Sequence, residues 1–298
     1  MAGIALLPAF LTGIEYTGEI ILYDDAPVSA DLRRAGFFVP EYMGPVSTVE
    51  VLARMPALEI VQLLTAGFEY VLPYLPNGVK LCNAAGVHDA STAELAVGLI
   101  LASLRGLDVA ARSMESGAWV HETRPSLADR QVLILGAGGV GQAVRRRIEP
   151  FEATVTMIGR TGRPGVLAIA DLDSILPSAD VVVLAVPLDA STRGLVDSKF
   201  LALMKTGALL VNVSRGPVVD TDALIAGLQG GGISAALDVT DPEPLPPGHR
   251  LWSCPNLLIS AHVGGDTSAF APRARALVSD QLTSWATGQP MRNIIPTA

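Results

Sequence analysis

Cysteine is almost missing from this chain: only Cys82 and Cys254 occur among 298 residues, with no C-x-x-C. That excludes a disulfide framework and a cysteine zinc site. It predicts a reducing, cytoplasmic compartment and no metal. Charge is scarce too, at 17% of residues, while 50% of the chain is hydrophobic and the mean hydropathy is +0.42. Such a chain has ample material for cores and too few charges for disorder. Positive charge is the scarcer sign, with 21 Lys and Arg against 29 Asp and Glu and a net charge of −8. Nucleic acid is therefore not an expected partner, because a phosphate backbone needs a basic face. The one basic cluster, Arg145, Arg146 and Arg147, falls on a predicted helix and reads as a solvated face. Apolar runs of membrane-spanning length are absent as well. The longest are broken by Glu94 or Pro187, so no membrane association is expected. The apolar start, MAGIALLPAFLTGIEY, precedes the first arginine, Arg33, and does not read as a signal peptide.

What is present is a regular alternation of strand and helix patterns. EIILYDD reads as a strand ending in acids, and SADLRRAG as a short helix capped by Ser29 and stopped by Gly36. STVEVLARMP reads as a second helix in which Ser47 and Glu50 form a capping box. LEIVQLLTAG and VKLCNAAG are buried strands that run into glycine turns. A long helix is predicted over about residues 92–116, with apolar Leu95, Leu99, Ala102 and Leu107 and with Glu94 at its positive end. RQVLILGAGGVG then opens a strand-turn-helix. ATVTMIGR, ADVVVLAVP, GALLVNVSRG, ISAALDVT and NLLISAHVGG follow as continuous apolar runs of strand length. Such runs suit a parallel sheet covered on both faces, which predicts an α/β fold in two units. DPEPLPPGH holds four prolines and reads as a rigid connection; SAFAPRARALVSDQLTSWATGQP reads as a closing helix ending at Gly288 and Pro290.

Gly136, Gly138 and Gly141 make G-x-G-x-x-G between a strand and a helix. Glycines there permit a tight turn, close backbone approach to a pyrophosphate and close helix packing, and the helix N-terminus offers free N–H groups to the anion. A ligand-free turn that merely needs glycine is the alternative. An NAD site usually places an acid about 20 residues onward. Here Gly159 stands 18 residues past Gly141 (159 − 141), followed by Arg160, Thr161 and Arg163. An arginine pairs with a 2′-phosphate that an acid would repel, so NADP is expected as the preferred cofactor, with NAD possible.

Three later strand ends carry polar chemistry: Arg215 after LLVNVSRG, Glu243 in ALDVTDPEPLP and His262 in LLISAHVGG. Strands of one parallel sheet bring them to its carboxyl edge, where ligands bind. Arginine holds a carboxylate in a forked pair, histidine donates a proton to a carbonyl oxygen, and a glutamate bonded to that histidine favours its protonated form. With a hydride donor, these make a 2-oxo acid reductase.

The ordered set resembles the D-isomer-specific 2-hydroxyacid dehydrogenase family over nearly the whole chain. LLTAGFEYV, NAAGVHDASTAELAVGLILA, SLADRQVLILGAGGVGQAV, AVPLDASTRGLVD, LLVNVSRGPVVD, ALDVTDPEPLP and SAHVGGDT carry the resemblance. It implies two α/β domains: a flavodoxin-like substrate domain, residues 1–90 plus 269–298, and a Rossmann doubly wound cofactor domain, residues 91–268, with a cleft that closes on substrate. It also implies a homodimer formed mainly through cofactor-domain elements. The family's catalytic residues fall on Arg215, Glu243 and His262, and its substrate-carboxylate loop on Ala66 and Gly67, which would share the carboxylate with Arg215. Cofactor contacts fall on Val87, Thr92, Gly136, Gly138, Gly139, Val140, Gly141, Gly159, Arg160, Thr161, Val186, Pro187, Val213, Ser214, Asp238, His262 and Gly264. Of these, Val87 would lie near the nicotinamide, Pro187 would flank the adenosine and Asp238 would hold the carboxamide.

Glu243 separates the chain from the formate dehydrogenase branch, which carries glutamine there, and Arg160 resembles the NADPH-using glyoxylate and hydroxypyruvate reductases. Ala261 replaces the usual proline before the histidine and is expected to loosen that turn; one strand-helix unit between Tyr23 and Val51 is expected to be reduced. The expected activity is reversible reduction of a small 2-oxo acid to the D-2-hydroxy acid. A non-catalytic NADP sensor and a phosphite-type dehydrogenase are the alternatives. Phe68, His88, Trp119, His121 and Trp252 are candidates to border the cleft and equally ordinary packing or surface residues.

Overall fold

Short strands with apolar side chains on both faces build two all-parallel sheets, one in each of two units. The computed structural model describes residues 3–24, 26–27 and 29–296. The chain divides into Met1–His88 with Thr267–Ala298, and Asp89–Asp266. These divisions fall two residues before those expected at 90/91 and 268/269 (88 against 90, 266 against 268).

The first unit holds β1 (Ile4–Pro8), β2 (Glu19–Tyr23), β3 (Phe37–Phe38), β4 (Ile60–Gln62) and β5 (Lys80–Cys82), in spatial order β2-β1-β3-β4-β5. Successive side chains enter opposite layers. Leu6, Phe38 and Val61 meet Leu32, Val49 and Leu52 on one face, while Leu7, Phe37 and Ile60 meet Ala274, Val278 and Leu282 of the helix Phe270–Thr287 on the other. Burial on both faces explains why these strands read as runs rather than alternations. Gly288, at φ +67, closes that helix where expected.

The second unit holds β6 (Gln131–Leu135), β7 (Thr154–Gly159), β8 (Leu167–Ala168), β9 (Val181–Leu184), β10 (Ala208–Asn212), β11 (Ile233–Leu237) and β12 (Leu257–Ile259). Their order is β12-β11-β10-β9-β6-β7-β8. From β6 the chain winds outward through β7 and then returns to β9 on the other side, so the switch point lies between β6 and β9. Val132, Ile134, Val183 and Val211 pack under the helix Asp89–Arg105, and Leu133, Leu135, Val182 and Leu210 fill the opposite face. No described helix is long and apolar enough to cross a membrane.

Several local expectations are corrected. The long helix is two, Asp89–Arg105 and Leu107–Ser116, because Gly106 takes φ +63 and breaks the right-handed run. The Ser47 capping box does not form: the helix Ser47–Glu50 has no side-chain cap, and the Pro45 carbonyl accepts from both Thr48 N and Thr48 Oγ1. Ser29 is the first residue of the helix Ser29–Leu32. Asp25, at the end of the first acidic strand pattern, lies outside the described residues. Between Tyr23 and Val51 the described residues form only the two-residue β3 and two four-residue helices, the reduced unit that the short sequence implies.

Side-chain amides tie the closing helix to the first sheet. Buried Gln281 donates to Gln62 Oε1 at 2.7 Å and to the Arg292 carbonyl at 2.9 Å, and accepts from Arg292 N at 2.9 Å. Gln281→Ala leaves those buried partners unpaired and is expected to cost about 1–3 kcal/mol. Thermal unfolding followed by circular dichroism should show a lowered midpoint; an unshifted melt would contradict this role.

Candidate active site

Gly136 stands just past β6 at φ +109, and a Cβ there would meet the Ala185 carbonyl oxygen at 2.2 Å. A Cβ on Gly141 would meet the Gly136 carbonyl oxygen at 1.9 Å. These two glycines are demanded by the turn itself. Gly138 is different. Its backbone, φ −80 and ψ −165, is open to any residue, and nothing lies within 4 Å of an added Cβ. Neither strain nor packing calls for glycine at 138, so what it provides is room beside the start of the helix Gly139–Ile148. At Gly139 the crowding atom is a carboxylate: a Cβ would sit 1.9 Å from Asp89 Oδ2. Negative charge at a helix N-terminus is favourable.

The space beside Gly138 is a cavity of about 940 Å³ at the switch point. The glycine turn, Ile158–Arg160 at the end of β7, and Val186, Pro187 and Asp189 after β9 form its walls. Its volume is within the range of small-ligand and cofactor sites. Arg160 Nη2 pairs with Asp189 Oδ2 at 2.5 Å, and Arg163 Nη2 donates to the Ala137 carbonyl at 2.8 Å. Hydrogen bonds from Ser191, aided by the Arg160 charge, hold the Asp189 carboxyl below its usual range. Thr161 is exposed and lies outside the cavity lining; Val140 and Gly141 lie within the helix.

Further along the same sheet edge, β10, β11 and β12 deliver the second cluster. A Cβ on Gly216 would meet the Thr240 carbonyl oxygen at 1.9 Å, so the chain leaving Arg215 runs directly against the loop that carries Glu243. Asn212 fixes the turn between: its Oδ1 accepts from Ser214 N and Oγ, at 3.0 and 2.7 Å, and its Nδ2 donates to the Arg215 carbonyl at 3.0 Å. Val213 and Ser214 are buried there. His262 Nδ1 donates to Glu243 Oε1 at 2.5 Å. That hydrogen bond raises the His262 pKa above the ordinary imidazole value, against burial and the Arg215 charge. Burial opposes ionisation of Glu243, but the bond and charge of His262, the Thr240 N–H and the Arg215 charge outweigh it, and the carboxyl is held low.

His262 adopts φ +52, a left-handed conformation. Asp238 holds it so. Its carboxylate, 3% exposed, accepts from Ser260 Oγ at 2.7 Å and from Val263 N and Gly264 N at 2.9 Å, and its carbonyl accepts from His262 N. The turn expected to be loose at Ala261 is thus pinned on both sides of the histidine. Thr92 Oγ1 donates to the Gly264 carbonyl at 3.4 Å.

Ala66 and Gly67 lie after β4 in the first unit. The carbonyls of Thr65, Ala66 and Gly67 accept from Ala84 N, Asn83 Nδ2 and Thr65 Oγ1, at 2.9, 2.7 and 2.7 Å. In a trans peptide N–H points opposite C=O, so the Ala66 and Gly67 N–H groups are turned away from these partners. Val87 packs with Ala84, Leu277 and Phe270. His88 stacks on Tyr42 and Phe270, with Nε2 2.7 Å from the Leu64 carbonyl. Trp119 and His121 are exposed, Phe68 packs at the edge of the first core, and the Trp252 indole donates to the Pro246 carbonyl. Sequence spacing did not single out Asp189, Asn212 or Ser260; Asn212 ends a strand of the second sheet and the other two follow one, which was the available signal.

The family model described as D-isomer specific 2-hydroxyacid dehydrogenase, NAD binding domain, matches residues 97–264. The chain is 32% identical over 255 residues to a glyoxylate reductase from Thermofilum pendens, covering 80% of this chain and 75% of that protein. It is 32% identical over 249 residues to the human glyoxylate reductase/hydroxypyruvate reductase, covering 78% and 76%. Among solved structures, an NADPH-dependent glyoxylate/hydroxypyruvate reductase from Sinorhizobium meliloti, in complex with NADP and malonate, is similar with TM-score 0.82 and 29% identity, over 99% of this chain and 97% of that one.

The glycines separate fold from ligand. Gly138→Ala should leave the melting temperature within about 1 °C, since exposed substitutions away from special features change stability little, yet weaken dinucleotide binding measured by fluorescence titration. Gly141→Ala should lower the melting temperature strongly. Equal effects of the two on stability would contradict the distinction.

Proposed function

Because the chain belongs to the D-isomer-specific 2-hydroxyacid dehydrogenase family, we propose that it reduces a small 2-oxo acid of the glyoxylate or hydroxypyruvate type to the D-2-hydroxy acid, reversibly and with NADPH. NAD(P)-dependent 2-hydroxyacid dehydrogenase chemistry comes with the family. The observation that carries the reading is the bonded Glu243–His262 pair beside Arg215, on the same sheet edge as the glycine turn.

The room at Gly138, which a Cβ would fill, and the walls at Gly159 and Pro187 fit a dinucleotide. Bound there, the nicotinamide supplies the hydride that reaches C2 of the oxo acid. Everything else falls to the chain. Arg215 pairs with the substrate carboxylate and orients the carbonyl. In the first unit, the turned-out N–H groups of Ala66 and Gly67 make an anion seat that the family resemblance assigns to that carboxylate. His262, with Nδ1 committed to Glu243, donates from Nε2 to the carbonyl oxygen as negative charge develops there. Glu243 stabilises the imidazolium and fixes its ring. Arg160 and Arg163 support NADPH over NADH, as partners for a 2′-phosphate. Two free cysteines, Cys82 and Cys254, support a reducing, cytoplasmic setting. Exposed Leu107, Met114, Trp119 and Val120 support a homodimer formed through the second unit.

His262→Ala should slow NADPH oxidation with glyoxylate or hydroxypyruvate by about two to four orders of magnitude while cofactor still binds. Near-normal turnover would remove the acid role. Reduction uses protonated His262, whose pKa is raised, so its rate should hold above the ordinary imidazole value of about 6.5 and fall as pH rises through the higher one. Oxidation uses the neutral ring and should show the mirror profile. Glu243→Gln removes the charge that raises the pKa and should move both limbs to lower pH, read from kcat against pH in each direction; limbs that stay in place would assign the titration to another group.

A further inference from the structure

The end of β7 has no acid. Gly159 occupies that position, and Arg160 follows it. An acid does face the cavity, but from another strand: Asp189, four residues after Ala185, lines the same wall as Arg160 and pairs with it at 2.5 Å. The two partners are not equally free. Asp189 Oδ1 accepts from Ser191 N and Ser191 Oγ at 2.8 and 2.6 Å, and Asp189 N donates to Thr192 Oγ1 at 2.8 Å. Thr192 Oγ1 in turn donates to the Pro187 carbonyl at 2.6 Å. The carboxylate is therefore fixed by its own loop, with Oδ2 presented to the cavity. The Arg160 side chain is 73% exposed and long, so it is the partner that moves.

An exposed ion pair adds little to fold stability, so stability does not account for a carboxylate braced in this way. Its effect on a ligand is larger. A phosphate monoester carries close to two negative charges. To pair with one, Arg160 must leave Asp189 or be shared with it, and the uncovered carboxylate then stands as a like charge beside the incoming anion. A ribose 2′-hydroxyl suffers neither cost, and it is a neutral donor for Asp189 Oδ2. Arg163 offsets this only in part, because its guanidinium is engaged with the Ala137 carbonyl.

We propose that Asp189 is a specificity-determining residue that holds Arg160 back from the 2′-phosphate and so narrows the preference for NADP over NAD. The proposal rests on the reading of Arg160 as the 2′-phosphate partner. The chain then carries both halves of a cofactor selector on two strands: a cation after β7 and a counter-charge after β9.

The test uses the full-length protein and two fragments without nicotinamide, 2′,5′-ADP and 5′-AMP, titrated by isothermal calorimetry. Asp189→Asn keeps an oxygen for the Ser191 bonds and removes the charge. It should tighten 2′,5′-ADP by about tenfold, the scale of one unscreened close charge, and leave 5′-AMP within about twofold. Asp189→Ser serves as the second variant should the amide disturb the loop. Arg160→Gln should weaken 2′,5′-ADP alone and shrink the gain from Asp189→Asn when the two are combined. Unchanged 2′,5′-ADP affinity in both Asp189 variants, with the Arg160→Gln loss intact, would overturn the role of Asp189 and leave the NADPH reading standing. Arg160→Gln without effect would overturn both.

Discussion

Backbone packed directly on backbone at the carboxyl edge of the second sheet is the constraint on which the site depends. At three points the chain passes so close to a neighbouring carbonyl that a single methyl group would not fit: Gly136 over Ala185, Gly141 over Gly136, and Gly216 over Thr240. The first two set the entry angle of the helix Gly139–Ile148 and bring the end of β9 against the end of β6. The third lays the turn after β10 on the loop after β11, which places the Arg215 charge within reach of Glu243 and His262. A parallel sheet delivers its loops to one edge; these contacts decide which loops touch.

On that scaffold the charges are arranged in small opposed sets. His262 gains proton affinity from Glu243 and loses some to Arg215, so its titration reflects a balance rather than one neighbour. Asp238 adds a smaller push in the same direction as Glu243. It spends its carboxylate on Ser260 and on the N–H groups of Val263 and Gly264, converting a buried charge into the mould of a left-handed histidine. Arg160 and Asp189 repeat the theme at the other end of the edge, where the acid is braced by its loop and the base is not.

The architecture was legible because strands buried on both faces leave long apolar runs, and because the glycine turn has a strand before it and a helix after. The pairing of Glu243 with His262 followed from the same rule, since both leave neighbouring parallel strands. What escaped had physical reasons. β1 lies in a continuous apolar start that carries no alternation to mark a strand, and β3 is two phenylalanines long, too short for any periodicity. Gly106 sits in an unbroken helical pattern, where a glycine costs only about 1 kcal/mol, so its left-handed turn leaves no trace in spacing. Ser47 and Glu50 match a capping box, yet Glu50 N donates to the Val46 carbonyl instead of to the Ser47 side chain. The ion pair of Asp189 with Arg160 and the engaged carboxylate of Asp238 join residues far apart along the chain, and no local pattern reports them.

The closing helix Phe270–Thr287 belongs to the unit that the chain begins, not to the one it has just left. The unit Asp89–Asp266 is continuous and complete in its own stretch of chain, so during synthesis its core can close while the ribosome is still adding residues. The first unit has no such freedom: Leu7, Phe37 and Ile60 have one face uncovered until Ala274, Val278 and Leu282 have emerged. The order of translation is thereby opposite to the order of completion. The nucleotide-sized cavity belongs to the part that matures first, and the half-covered apolar sheet is the nascent surface that most needs protection from premature association.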